Sequence, residues 1–336
     1  MSPPVTAAAS PVSLESIREA ARQLDGVAFR TPMVEAGKGV AARAGAAEWA
    51  ARTAPVYFKC EHLQPIGAFK IRGAHTAIAR LGADGRARGV VTSSSGNHGQ
   101  AVAWVAERFG IRSVIVMPES APAVKVAGVR RYGGEVVFAG KTRSPEQQLR
   151  AERYVAEEGL VLIPPFDHPD VIAGQGTTGL EILEQVPEVG TVLVPVGGGG
   201  LLSGITTAIK AIRPEVEIIG VEPAGAAKLA AALAAGRPTT LEQTASLADG
   251  LLTRAIGGLP WSLIATRVRQ AVAVTEPQIA RAVRFLFDHQ GLRVEPSGAV
   301  TVAALLAGRI RGEGPVVAVL SGGNVDVELF EQLVAA

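Results

Sequence analysis

Lys70 stands between Phe69 and Ile71, with Gly67 and Gly73 to either side, in the string KCEHLQPIGAFKIRGA (59–74). An ammonium in so apolar a setting loses hydration, its pKa falls, and the neutral amine becomes a nucleophile able to form a Schiff base with a carbonyl. A second string, TVLVPVGGGGLLSGITTAIK (191–210), runs a β-branched stretch into Gly197, Gly198, Gly199 and Gly200 and then into a helical pattern. Without Cβ atoms the backbone can wrap closely around one point at a helix N-terminus, so this turn reads as a phosphate cradle. A third, VVTSSSGNHGQAVA (90–103), gathers Ser94, Ser95, Asn97 and His98 around Gly96. Such a loop is rich in donors and lean enough for backbone amides to approach an anion.

The glycine turn also admits a rival. Gly198, Gly200 and Ser203 nearly satisfy the dinucleotide fingerprint G-x-G-x-x-G/A, and Glu222 lies at the end of the next strand, where a ribose-binding acid would fall. Two features weigh against it: the third position is serine, and the turn lies past mid-chain amid signals that a dinucleotide site does not explain.

These residues need elements to position them, and the pattern supplies them. Short β-branched runs alternate with Ala-rich helical windows, giving strand candidates at Val56–Lys59, Gly89–Thr92, Ser113–Met117, Glu135–Phe138, Val161–Ile163, Thr191–Val196, Glu217–Val221 and Val316–Leu320. Apolar strands separated by helices imply parallel sheets buried on both faces, hence a doubly wound α/β fold with its ligand beyond the strands' carboxyl ends. Three glycine-rich turns fall there: Ser93–Gly99, Gly197–Gly200 and Ser321–Asn324. Ahead of them, Ser13 can cap a helix reaching Asp25, and 38–54 reads as a surface helix or insertion.

Composition narrows the function classes. The 336 residues, 48% hydrophobic, are enough for one large or two modest domains. Thirty-three basic against 31 acidic residues, without long charge runs, give no footprint for nucleic acid or an anionic membrane, so small molecules are the expected partners. The single cysteine, Cys60, forms no intrachain disulfide and suits the cytoplasm, and no stretch has the length of a signal or a membrane span.

The three strings, together with FDHPDVIAGQGTTGLEIL (166–183), which lies between the second and third along the chain, and with GVEPAGA (220–226), ADG (248–250), EPSGA (295–299) and LSGGNVD (320–326), resemble in their order the fold-type II pyridoxal-phosphate enzymes. The likeness is to the serine/threonine dehydratases and serine racemases, and it spans nearly the whole chain. It implies two doubly wound parallel-sheet domains of the tryptophan synthase β kind, with pyridoxal 5'-phosphate in the cleft between them. A large domain of 1–82 plus 168–336 and a small one of 83–167 are expected, as a homodimer. No regulatory domain is expected after LSGGNVD, and hence no cooperative inhibition by isoleucine.

Carried over by residue, the resemblance makes Lys70 the Schiff-base lysine and general base, with Phe69 beside the cofactor ring. Gly197, Gly198, Gly199 and Gly200 would hold its phosphate, and Asn97 its phenolic oxygen. Ser94, Ser95, Asn97 and His98 would form the substrate loop. Ser321 would face the pyridine nitrogen, where a hydroxyl makes the ring a weaker electron sink than a carboxylate does and so favours elimination. The activity implied is dehydration of a β-hydroxy amino acid such as threonine or serine, with serine racemase or 3-hydroxyaspartate dehydratase as alternatives. A nicotinamide-dependent dehydrogenase is more remote. Ser95 would be the second proton-transfer group in a racemase. Relatives also bind a cation at positions matching Glu222, Ala226 and Lys228, but an ammonium at the third is no ligand for a hard cation, so no metal is expected.

Overall fold

Val192, Leu193 and Val194 are fully buried, as are Val316, Val317, Ala318 and Val319. Strands apolar at every position can only lie inside a sheet covered on both faces. The computed structural model describes residues 11–37, 42, 45–142, 144–311 and 314–335. Its strands are β1 (Met33–Ala36), β2 (Val56–Lys59), β3 (Val90–Ser93), β4 (Ser113–Met117), β5 (Glu135–Phe138), β6 (Val161–Leu162), β7 (Thr191–Pro195), β8 (Glu217–Pro223), β9 (Gln270–Val274) and β10 (Val316–Val319). They form a six-stranded sheet in the order β1-β2-β10-β7-β8-β9 and a four-stranded sheet in the order β5-β4-β3-β6. Every pairing is parallel except β1 with β2, so the expected all-parallel sheet carries one antiparallel edge.

Alternation across the pleat sorts the small sheet's side chains into two layers. Val90 and Ile115 face the Asn97–Phe109 and Lys70–Ala79 helices, while Val91, Val114 and Val116 face the Pro145–Glu158 helix. The larger sheet is covered on one face around Trp49, Phe58 and Phe285, and on the other around Ile17, Ile172 and Ile205. The Lys70–Ala79 helix lies between the two units, packed on both the Pro169–Gln185 and the Asn97–Phe109 helices. Its approach is close: a Cβ on Gly73 would lie 2.7 Å from the Val171 carbonyl oxygen. This fixes the depth at which Lys70, the helix's first residue, enters the cleft.

Two strands escape the sequence pattern, β1 and β9, and both are sheet edges. The first helix is Leu14–Gln23, two residues short of the expected Asp25. Ser13 caps it as expected: its Oγ accepts from Ser16 N at 3.1 Å, and Ser16 Oγ accepts from Ser13 N at 2.9 Å. Much of the segment expected as a surface helix, 38–41 and 43–44, lies outside the described residues, but the Ala47–Ala50 turn corrects the rest. Trp49 is buried there, edge-on to Phe58 with ring centroids 6.1 Å apart, and anchors the core. Cys60 is fully buried and burial pushes its thiol up to about 12. No helix among the described residues is long and apolar enough to cross a membrane.

Candidate active site

The three glycine-rich turns meet at one cavity of about 250 Å³, which Lys70, the Ser93–His98 stretch, Gly197–Gly200 and Ser321 line together. Lys70 is set by the chain on both sides. Ala68 bridges Gly322, and Phe69 N donates to Ser321 O at 3.1 Å, so the lysine and serine turns are stitched together. The Lys70 amine donates to the Pro165 carbonyl at 2.6 Å and sits 5.1 Å from the Phe69 ring centroid. Burial lowers it to about 8. The side chain is partly buried and borders the cavity, and no carboxylate among the described residues pairs with it.

Behind Lys70 the helix is anchored by Arg72. Its guanidinium takes Glu61 through Nε and Nη2, both at 2.8 Å, and Glu181 through Nη1 at 2.6 Å, in a network that Lys59 also enters and that is buried except at Glu181. Breaking one partner of such a pair costs about 3–5 kcal/mol, because the other charge stays buried.

In the glycine turn, Gly199 adopts φ +96°, a left-handed value that a side chain would strain, and it opens the Gly200–Ile212 helix. Gly198 lies directly under the Phe166 ring, so the run of glycine serves packing as well as ligand binding. Asp167 locks that neighbouring turn by accepting from Gly258 N and Leu259 N, each at 3.0 Å. The backbone N–H groups of Gly197 to Gly200 donate to no described residue, which leaves several donors converging at a helix N-terminus.

Asn97 begins the Asn97–Phe109 helix, its Nδ2 donating to Glu295 Oε1 at 2.6 Å and its Oδ1 accepting from Asn324 Nδ2 at 2.9 Å. Those two bonds fix the amide's orientation and leave one Nδ2 hydrogen for a ligand. Ser94 Oγ accepts from Gly96 N at 3.3 Å, and Ser95 lines the cavity. His98 is buried with Nε2 3.0 Å from Ile163 O, and burial together with the nearby Lys70 charge lowers it to about 3. It is therefore a neutral ring that ties the loop to the end of β6. Ser321 is buried at the cavity wall beyond β10.

Lys228 fills the place examined for a cation. Its fully buried ammonium donates to Ala226 O at 2.9 Å and Leu251 O at 3.0 Å, and lies 3.7 Å from Glu222 Oε2. Glu222, on which the dinucleotide alternative leaned, turns its carboxylate to Leu229 N at 2.9 Å and Ala230 N at 2.8 Å, so it presents no free acid for a ribose.

Four contributors went unread in the sequence: Pro165, Phe166, Glu295 and Lys125. The first three lie in or beside quoted strings without an assigned role. Lys125, reaching in from the Ala123–Arg131 helix, carries no local signal. Glu295 is buried and burial raises it to about 7, with Asp249 adding to the rise and Lys125 opposing it.

The arrangement suits pyridoxal phosphate. Unpartnered N–H groups at a helix end fit a phosphate, a deprotonation-prone amine fits an aldehyde, and Asn97 and Ser321 offer donors for the ring's two polar atoms. Comparison with known proteins agrees. An L-threonine ammonia-lyase of Thermotoga maritima is 42% identical over 324 residues, 96% of this chain and 78% of that one. A serine racemase of Oryza sativa subsp. indica is 39% identical over 327 residues, 95% of this chain and 93% of its own length. The structure of maize serine racemase superposes with a TM-score of 0.89 at 38% identity, covering 96% of each chain. With residues 24–322 matching the family described as pyridoxal-phosphate dependent enzyme, the chain belongs to that family and takes pyridoxal phosphate as its cofactor.

Proposed function

We propose that this enzyme removes water from a β-hydroxy amino acid such as threonine or serine, releasing a 2-keto acid and ammonia. The observation that carries this reading is the joint placement of Lys70 and Ser321 in one cavity, an amine easily deprotonated at neutral pH opposite a hydroxyl rather than a carboxylate. When bound, pyridoxal phosphate supplies an aldehyde that the lysine and the substrate amine occupy in turn, and a ring that takes up the electron pair left at Cα.

The chain's own residues do the rest. Gly197 to Gly200 would hold the phosphate on backbone N–H groups, Asn97 would donate to the phenolic oxygen, and Ser321 to the ring nitrogen. Ser94 and Ser95 receive the substrate carboxylate in a loop that His98 fastens to Ile163. Lys70, freed from its tether, accepts the α-proton at Nζ as general base. Its lowered pKa leaves a useful fraction neutral at working pH, and the Pro165 carbonyl aims it. A hydroxyl at Ser321 would leave the ring nitrogen unprotonated and so favour loss of the β-hydroxyl, which departs as water with the proton that Lys70 Nζ accepted. The released enamine takes up water to give keto acid and ammonia.

A panel of L- and D-threonine, serine and 3-hydroxyaspartate, with keto-acid release followed alongside visible absorbance of the purified protein, tests this. Visible absorbance with keto acid from threonine or serine supports it, and absorbance without keto acid from any substrate overturns it. A second reading, racemisation, is favoured by Ser95, whose hydroxyl lines the same cavity as the Lys70 amine. Ser95→Ala that loses chiral conversion of serine but keeps elimination supports it. Equal loss of both assigns Ser95 to carboxylate binding, and no conversion in the wild type removes the racemase reading.

The same reading treats 1–82 plus 168–336 and 83–167 as two units closing on the substrate, in a cytoplasmic homodimer. The two sheets' distinct cores support the division, although Ile71, Ala74, Ile78 and Val171 of the larger unit pack into the smaller sheet's core, and sedimentation and fractionation test assembly and location.

A further inference from the structure

Lys125 projects from the Ala123–Arg131 helix, which packs on the Asn97–Phe109 helix and belongs to the four-stranded sheet's side of the cleft. Its side chain is buried and reaches two carboxylates of the opposite side. The amine donates to Asp249 Oδ2 and stands 3.9 Å from Glu295 Oε2. Each carboxylate leads to a different part of the cavity. Asp249 begins the Asp249–Leu251 turn, in which Gly250 N donates to Ser297 Oγ at 2.9 Å and Gly250 O lies 3.2 Å from where a Cβ on Gly197 would stand. Glu295 holds Asn97, which Asn324 holds in turn.

We propose that Lys125 is a positioning residue that clasps the two sides of the cleft, keeping the glycine turn and the Asn97 amide in register on the cofactor. The proposal rests on reading the cavity as the pyridoxal-phosphate site. A lysine is buried at a cost unless its charge is paired, and here the partners come from the other sheet's side. Open, the three charges are hydrated and interact weakly. Shut, Lys125 and Glu295 are desolvated while Asp249 keeps one side to solvent, and the attraction grows as the dielectric around the ammonium falls. The contact is therefore strong only in the closed arrangement, which distinguishes a clasp from a static brace. Through Glu295 and the Asp249–Leu251 turn, Lys125 acts on both Asn97 and the glycines.

A double-mutant cycle on the holoenzyme tests this, with Lys125→Met, Asp249→Asn and the pair. Each single change should weaken pyridoxal-phosphate retention in equilibrium dialysis by roughly tenfold, and the pair by no more than either alone, since both remove one contact. Lys125→Arg should recover most of the loss. Losses that multiply, or singles within about twofold of wild type, would overturn the clasp. Amide hydrogen exchange across 197–202, which needs no cofactor, should quicken in both singles, and unchanged exchange also overturns it. Should Lys125→Met fail to fold, Lys125→Gln with Asp249→Asn supplies the same cycle. A wild type that takes up no pyridoxal phosphate defeats the underlying reading of the site, and the exchange measurement then decides the clasp alone.

Discussion

Lys70, partly buried, and Lys228, fully buried, are two lysines that desolvation lowers to the same value, about 8, and yet they are opposites. Lys70 has one carbonyl partner, borders an open cavity and is paired with no carboxylate. Lys228 is closed in by two carbonyls and Glu222, with no surface exposed. Desolvation thus makes an amine easier to deprotonate in both places, but only at Lys70 is there room for the neutral amine to attack anything. A lowered pKa marks a reagent when the partners are few and face open space. It marks a strut when the partners surround the group.

The sharpest break of this contrast is to remove each amine. Lys70→Met should abolish turnover, by about 10³-fold or more, since it deletes both the tether and the base. It should also leave the apoprotein folded and, at pH 7, more stable by on the order of 1 kcal/mol, because a charged amine without a carboxylate is no longer buried. Its folded pKa lies below its ordinary one, so the unfolded chain binds more protons between about pH 8 and 10.5 and wild-type stability rises with pH there. The variant's advantage should fade across that window in thermal unfolding.

Lys228→Met should do the reverse, destabilising by about 3 kcal/mol by leaving Glu222 without its cation. Adding Glu222→Gln should recover much of that, and a loss that stays the same would show that the two groups do not act as a pair. Smaller in effect, Glu295→Gln should flatten the acid limb of the pH–rate profile near 7 and cut turnover by roughly tenfold through a loosened Asn97. An unshifted limb would leave Glu295 out of the site's titration. The smallest effect is none: prolonged chelation should change neither melting temperature nor rate, because Lys228 already provides the positive charge between Ala226 O, Leu251 O and Glu222. Loss of activity restored by magnesium or calcium would break the comparison at its root.

The buried parallel strands β2 and β4 were legible because their runs are short, apolar and turn-bounded, and both match their expected bounds; β5 does too, although it is an exposed edge, because its β-branched pair Val136–Val137 stands between clear turns. β1 and β9 were not, since each is an edge with a mixed pattern, MVEA and QAVAV, and owes its conformation to one neighbouring strand. At the site, glycine and the lysine's frame were readable because they encode local geometry. Glu295 and Lys125 were not, for their significance lies in partners 124 and 198 positions away that only the closed fold brings near. Gly198 was read as part of a phosphate cradle, and the space beside its Cα is taken by the Phe166 ring, a packing demand that no local signal announces.

Cys60 gives the molecule one thiol, with no exposed surface and a pKa near 12. In the folded chain it is both inaccessible and protonated, so alkylating reagents and peroxides should pass it by. Its labelling rate then measures how often the core opens, a clock for native-state breathing that needs no engineered reporter, and one that ligand binding should slow.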